Sequence, residues 1–159
     1  MTLDSISLTI LKILQEKARI PNVEVARRVN MAPSAVLERI RKLENQGYID
    51  GYEVILNPKK FSRSLIAFVD VAIDDFACLD KAGESLAAID EVQEVHFLSG
   101  DTGFRIKVRV EDTVALKTLL THTLGSLEGL RPLATSVALT TYKETSQIPL
   151  STKESDPCR

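Results

Sequence analysis

The chain has 159 residues, 44% hydrophobic and 5% aromatic with no tryptophan, which excludes a disordered or collagen-like polymer and asks for an aliphatic core. Its net charge of −2 is unevenly placed: residues 1–60 carry 10 Lys and Arg against 7 Asp and Glu, and the remainder 10 against 15, so any polyanion is expected on the first part. Two cysteines without metal-ligand spacing, no basic leader ahead of an apolar run and no apolar stretch near the roughly 18 residues that span a bilayer point to a reduced cytoplasmic protein with no metal, cofactor or membrane partner.

The first elements are helical. Ile6, Ile10, Ile13 and Leu14 repeat at helix spacing, and Pro21-Asn22 breaks that helix, with Asn22 placed to start the next. The second helix is short, turns Val25, Ala26 and Val29 inward, and ends at Asn30, which tolerates the left-handed conformation. Pro33 suits the first turn of a third helix running to about Gln46, with Val36, Ile40 and Leu43 on one face and Gly47 as its stop. Tyr48 to Leu56, with a turn at Gly51, reads as a small hairpin or wing, and Asn57-Pro58 marks the domain boundary.

After the boundary the expected elements are a strand over 65–73, a helix over 76–89, strands over 92–99 and 104–110, a helix over 113–124 and a strand over 137–142. The order β-α-β-β-α-β is the ferredoxin-like split arrangement, with both helices on one sheet face. The domains are thus residues 1–58 with a wing and linker over 47–63, then 64–145, then a polar, loosely ordered tail over 146–159. The fold class is α+β.

Residues 22–41 meet the packing needs of a helix-turn-helix. A small residue stands where the helices touch (Ala26), a positive-φ residue at the turn (Asn30) and a branched apolar anchor in the second helix (Val36). A plain αα-hairpin would meet some of the same needs. In the helix-turn-helix reading, the helix from Pro33 enters the major groove of double-stranded DNA, and Ser34, Ala35, Leu37 and Glu38 face base edges. Arg39, Arg41 and Lys42 grip phosphates, joined by Arg27 and Arg28. Glu38 has an alternative partner in Arg41 or Lys42, one helical turn on.

In the second domain, Phe104, Ile106, Val108 and Val110 alternate with Arg105, Lys107, Arg109 and Glu111, so the first set lies under the helices. The strand over 65–73 alternates likewise, placing Asp70 to neutralise Lys107 or Arg109 and leaving Ile66, Phe68 and Ala72 as an apolar patch for a second copy of the sheet. A homodimer or larger symmetric oligomer is expected. Ser99-Gly100-Asp101-Thr102-Gly103 forms either a turn that holds a small carboxylate on exposed amides or an ordinary hairpin loop. His96 reads as a packed strand residue and His122 as a cation near a helix end, and no nucleophile or carboxylate cluster accompanies either, so no enzyme is expected.

These motifs, in this order, resemble the Lrp/AsnC (leucine-responsive and asparagine-synthesis regulator) family over about residues 3–150. The resemblance is carried by Leu3-Asp4 with Ile10-Leu11, Asn22-Val23-Glu24-Val25-Ala26, Leu37 to Glu44, Gln46 to Tyr52, Leu56-Asn57-Pro58, Ser99-Gly100-Asp101 and Lys143 to Ser146. It implies a winged helix-turn-helix joined to a ligand-sensing βαββαβ domain of the RAM type. It further implies dimers that assemble into octamers, an amino-acid effector held between dimers, and a nucleoid-associated place in the cytoplasm. By the same resemblance Gly100, Asp101, Thr102 and Gly103 are the ligand loop, with Thr135, Ser136 and Val137 beside it.

Four positions depart from the family pattern. Ser7 stands for an aspartate, and Pro21 for a serine or threonine cap, with Asn22 as substitute. Ala32 stands for a serine cap, a loss of about 1 kcal/mol. Gly103 stands where the family has an aspartate. That last departure raises a second reading, a regulator or DNA-organising protein without an effector. A third, of a different class, is an amino-acid-binding regulatory subunit of a metabolic enzyme, against which the basic helix-turn-helix argues.

Overall fold

Capping and turn residues set the first helices. The computed structural model describes residues 3–100 and 103–150, which divide into two units, one of residues 3–55 with 144–150 and one of the described residues between 56 and 143. Asp4 caps α1 (Ser5–Glu16) by accepting from the Ser7 amide at 2.7 Å. In α2 (Asn22–Val29) the cap position is Pro21, which offers no side-chain acceptor; Asn22 lies inside the helix and does not cap it, contrary to expectation. Asn30 takes the left-handed conformation (φ 54°, ψ 51°), and the next amide, of Met31, returns to the Ala26 carbonyl at 2.9 Å. Pro33 opens α3 (Pro33–Asn45) and Gly47, at φ 70°, ends it. Ile10, Val25, Ala26, Val36, Ile40 and Leu43 form the core of this unit.

Two expectations fail here. Residues 49–57 form no hairpin: they carry no strand and no ladder partner among the described residues, and Val54 and Ile55 are largely exposed. Gly51 is not in the positive-φ region that a tight hairpin turn uses. The tail is not loose over its first residues. Gln147 and Ile148 bond to Gln15 of α1, and Leu150 packs against the helical core.

The second unit is one antiparallel sheet with helices on one face. Its strands are β1 (Leu65–Ile73), β2 (Val92–Phe97), β3 (Gly103–Val110) and β4 (Leu130–Val137), in the order β2-β3-β1-β4. A short 3₁₀ turn capped by Asp75 leads into α4 (Leu79–Ala87), and Asp112 caps α5 (Thr113–Thr118), which continues as a π turn over Leu119–Thr123. Ala67, Val69, Val71 and Ile73 of β1 and Phe104, Ile106, Val108 and Val110 of β3 pack under Ala82 and Leu86 of α4 and Leu116 of α5.

The last strand lies seven residues earlier than expected at its start, over 130–137 and not 137–142. Leu139 and Tyr142 are almost wholly exposed. β4 holds Pro132, which its place allows: it is an edge strand with a register shift opposite Asp70 and Val71, and a bulged edge admits a proline.

On the open sheet face, Asp70 stands opposite Arg105 and takes two hydrogen bonds from it, at 2.7 and 3.2 Å; Lys107 instead pairs with Glu94, and Arg109 with Gln93 and the Arg63 carbonyl. The apolar patch is smaller than expected. Ile66 and Ala72 are already buried within the chain and Phe68 alone is well exposed. Arg109, the cross-strand neighbour of Ile66, is held by Gln93 and the Arg63 carbonyl. His96 is exposed rather than packed, 3.4 Å from Glu94.

Candidate functional site

Residues 33–43 of α3 separate into three sides. Val36, Ile40 and Leu43 are buried in the first unit. Pro33, Ser34, Leu37, Glu38, Arg41 and Lys42 are exposed and follow helical spacing along one outward face. Ala35 and Arg39 lie half-buried on the flank. No side chain caps the helix start, because Ala32 has no acceptor, so the first amides are left for water or a phosphate oxygen.

The cations differ in how they are engaged. Arg28 pairs with Glu24 one turn back at 2.8 Å. Arg27, Arg41 and Lys42 form no ion pair among the described residues. Glu38 likewise pairs with neither Arg41 nor Lys42, which leaves its carboxylate open on the outward face. Arg39 is different: its Nη1 donates to Asp4 Oδ2 at 2.6 Å and to Ser7 Oγ at 3.1 Å. The hydroxyl and amide of Ser7, with Arg39 behind them, hold the Asp4 carboxyl down to about 2. Tyr52 donates to Glu44 at 2.9 Å, and burial with that neighbouring carboxylate pushes the phenol up to about 12.

The second candidate is the turn between β2 and β3. Gly100 has φ 90°, a conformation that favours glycine. Asp101 and Thr102 lie outside the described residues. Gly103 pairs with Ala72, and a Cβ added to it would collide with the Val71 carbonyl oxygen. The turn is flanked by an aromatic row that the sequence reading missed. Phe97 stacks edge-on against Phe104 at 5.6 Å and Phe76 against Phe97 at 6.1 Å, with Phe76 and Phe97 still exposed in part. Phe97 ends β2 and Phe104 pairs with it near the start of β3, a match the sequence offered across the turn, but Phe76 joins them only through the fold.

Thr135, Ser136 and Val137 are not brought to this turn within one chain. They pair with Val69, Phe68 and Ala67, whereas Gly103 pairs with Ala72, and three to five strand residues separate these rows by roughly 10–16 Å. Among the described residues, no group of His, Cys, Asp and Glu can hold a metal ion, and no helix is long and apolar enough to cross a membrane.

Residues 3–50 match the family model for winged helix-turn-helix DNA-binding, and residues 66–148 match the Lrp/AsnC ligand binding domain. The chain is 37% identical over 153 residues to the leucine-responsive regulatory protein of Escherichia coli (strain K12), covering 95% of this chain and 93% of that one. A transcriptional regulator of Neisseria meningitidis, solved in complex with L-Met, superposes with a TM-score of 0.87 at 31% identity, covering 93% of this chain and 97% of that one. The feast or famine regulatory protein of M. tuberculosis, complexed with L-methionine, gives a TM-score of 0.83 at 29% identity, covering 92% and 99%.

Proposed function

The chain belongs to the Lrp/AsnC family of transcription regulators, and from that premise we propose how its two units divide the work. The protein is a DNA-binding regulator with a ligand-binding domain. In our reading α3 lies in the major groove of double-stranded DNA, with Ser34, Leu37 and Glu38 toward base edges and Arg27, Arg41 and Lys42 on phosphates. The single observation behind this reading is the outward face of α3, where cations without an ion-pair partner among the described residues flank an open carboxylate and hydroxyl.

The effector is an amino acid with an apolar or thioether side chain, seated at the turn over 98–103. The half-exposed rings of Phe76 and Phe97 beside that turn suit such a side chain, since sulfur and methylene groups pack well against aromatic rings. L-methionine bound to two relatives supports the same choice. The protein works as a homodimer or higher oligomer joined through the open sheet face, where Phe68 sits among the Asp70–Arg105 and Glu94–Lys107 pairs. Its place is the cytoplasm, with the nucleoid DNA.

A second reading, regulation without an effector, is favoured by Gly103. The family's carboxylate is missing there, and no side chain fits. Fluorescence anisotropy on a labelled fragment from upstream of the protein's own gene, against a scrambled fragment, separates the readings. Preference for the upstream fragment that L-methionine or a pool of amino acids shifts supports the first. Preference unmoved by every amino acid supports the second. No binding at low salt overturns both.

A further inference from the structure

Arg39 stands in the middle of the helix assigned to the groove, yet its guanidinium is spent inside the protein. It bonds to Asp4 Oδ2 at 2.6 Å and to Ser7 Oγ at 3.1 Å, while the other Asp4 oxygen, Oδ1, caps α1. One carboxylate therefore fastens the start of α1 to the centre of α3. Ser7, the third member, is buried at the junction. To reach a phosphate, Arg39 would give up a charge-assisted bond to a carboxylate for another of the same kind, with little gain. Arg27, Arg41 and Lys42 carry no such engagement.

We infer that Arg39 is a positioning residue and not a phosphate contact. Through Asp4 and Ser7 it fixes how α3 presents Ser34, Leu37, Glu38 and Arg41. Fixing a reading element in its bound orientation lowers the ordering cost of binding, so the gain falls on affinity without adding a DNA contact. This inference rests on the assignment of α3 to the groove.

The two roles differ in sign and in salt dependence. A phosphate contact contributes about one unit to the slope of log affinity against log salt, and a positioning residue contributes none. The test uses the full chain, the upstream DNA fragment and a salt series, with Asp4→Ser and Arg39→Met alone and combined. Serine caps a helix about as well as aspartate, so Asp4→Ser keeps α1 started while removing the oxygen that holds Arg39. Each single variant is expected to weaken binding by about threefold to tenfold at unchanged slope, and the pair together no more than either alone. The inference is overturned if Arg39→Met flattens the slope, or if Asp4→Ser tightens binding, as loss of a negative charge and release of a cation would do. Arg41→Ala and Lys42→Ala measured alongside should each flatten the slope. If neither does, the assignment of α3 itself falls, and that failure is distinct from the first.

Discussion

Gln15 grips the backbone of Ile148 on both sides: its Oε1 accepts from the Ile148 amide at 2.7 Å, and its Nε2 donates to the Ile148 carbonyl at 3.2 Å. Gln147 returns the bond through its own side chain, to the Gln15 carbonyl at 2.9 Å. This strap closes with Leu150 against the helical core. Removing residues 146–159 should therefore loosen α1. Each lost hydrogen bond of this kind is worth about 0.5–1.5 kcal/mol, less where water competes. Amide exchange over Ile13–Lys17 should speed up in the truncated chain and, by a smaller factor, in Gln15→Ala. Unchanged exchange in both would show that the strap adds nothing to the unit.

Gly103 should resist any larger residue. A Cβ there would collide with the Val71 carbonyl oxygen and meet the Ala72 Cα at 2.8 Å, both backbone atoms of the neighbouring strand. Gly103→Ala is expected to cost about 1–3 kcal/mol, the usual range for overpacking, because β1 and β3 must separate. Gly103→Asp, with a larger side chain at the same close approach, should cost at least as much. Urea denaturation reads the loss, and equal midpoints for Gly103→Ala and the parent chain would refute the close approach.

What could be read from the sequence was what local rules decide. Pro33, the Val36-Ile40-Leu43 spacing and Gly47 locate α3 within a residue of where it lies, and alternation in Phe104 to Val110 assigns the buried face of β3. The outward residues of α3 followed from the same periodicity. What escaped depends on the rest of the fold. The last strand begins seven residues before the expected start and contains Pro132, and nothing local announces an edge position or a bulge. Asp70 found Arg105 and not Lys107, because its partner depends on sheet register. Asp4 and Arg39 are 35 residues apart, and Arg39 looks like any other cation of a reading helix until α1 is placed beside it.

The depressed carboxyl of Asp4 makes a prediction about acid. Its folded pKa, about 2, lies below the usual 3.8, so the ionised form is favoured in the folded state. Its contribution to stability is complete above about pH 4 and fades as pH falls toward 2. Asp4→Asn keeps the cap but weakens the pairing, so its melting temperature should fall below that of the parent near neutral pH. The gap should narrow between pH 4 and pH 2. A gap that stays constant over that range would assign the loss to packing and not to the carboxylate.

Glu38 should trade affinity for discrimination. An open carboxylate on the face set against DNA repels phosphates at every sequence, and it repays this only where it accepts from a cytosine amino group. Glu38→Ala should therefore bind scrambled DNA more tightly than the parent does. It should also lose about 1–3 kcal/mol of preference at one base pair of the operator, the worth of a well-placed base contact. Competition binding against operators changed one pair at a time measures both effects. Tighter binding to all fragments alike, with no position losing preference, would leave Glu38 as a charge near DNA and remove it from the base-reading set. A loss confined to one position would place the N-terminal half of α3 over that base pair and fix the direction in which the helix lies in the groove.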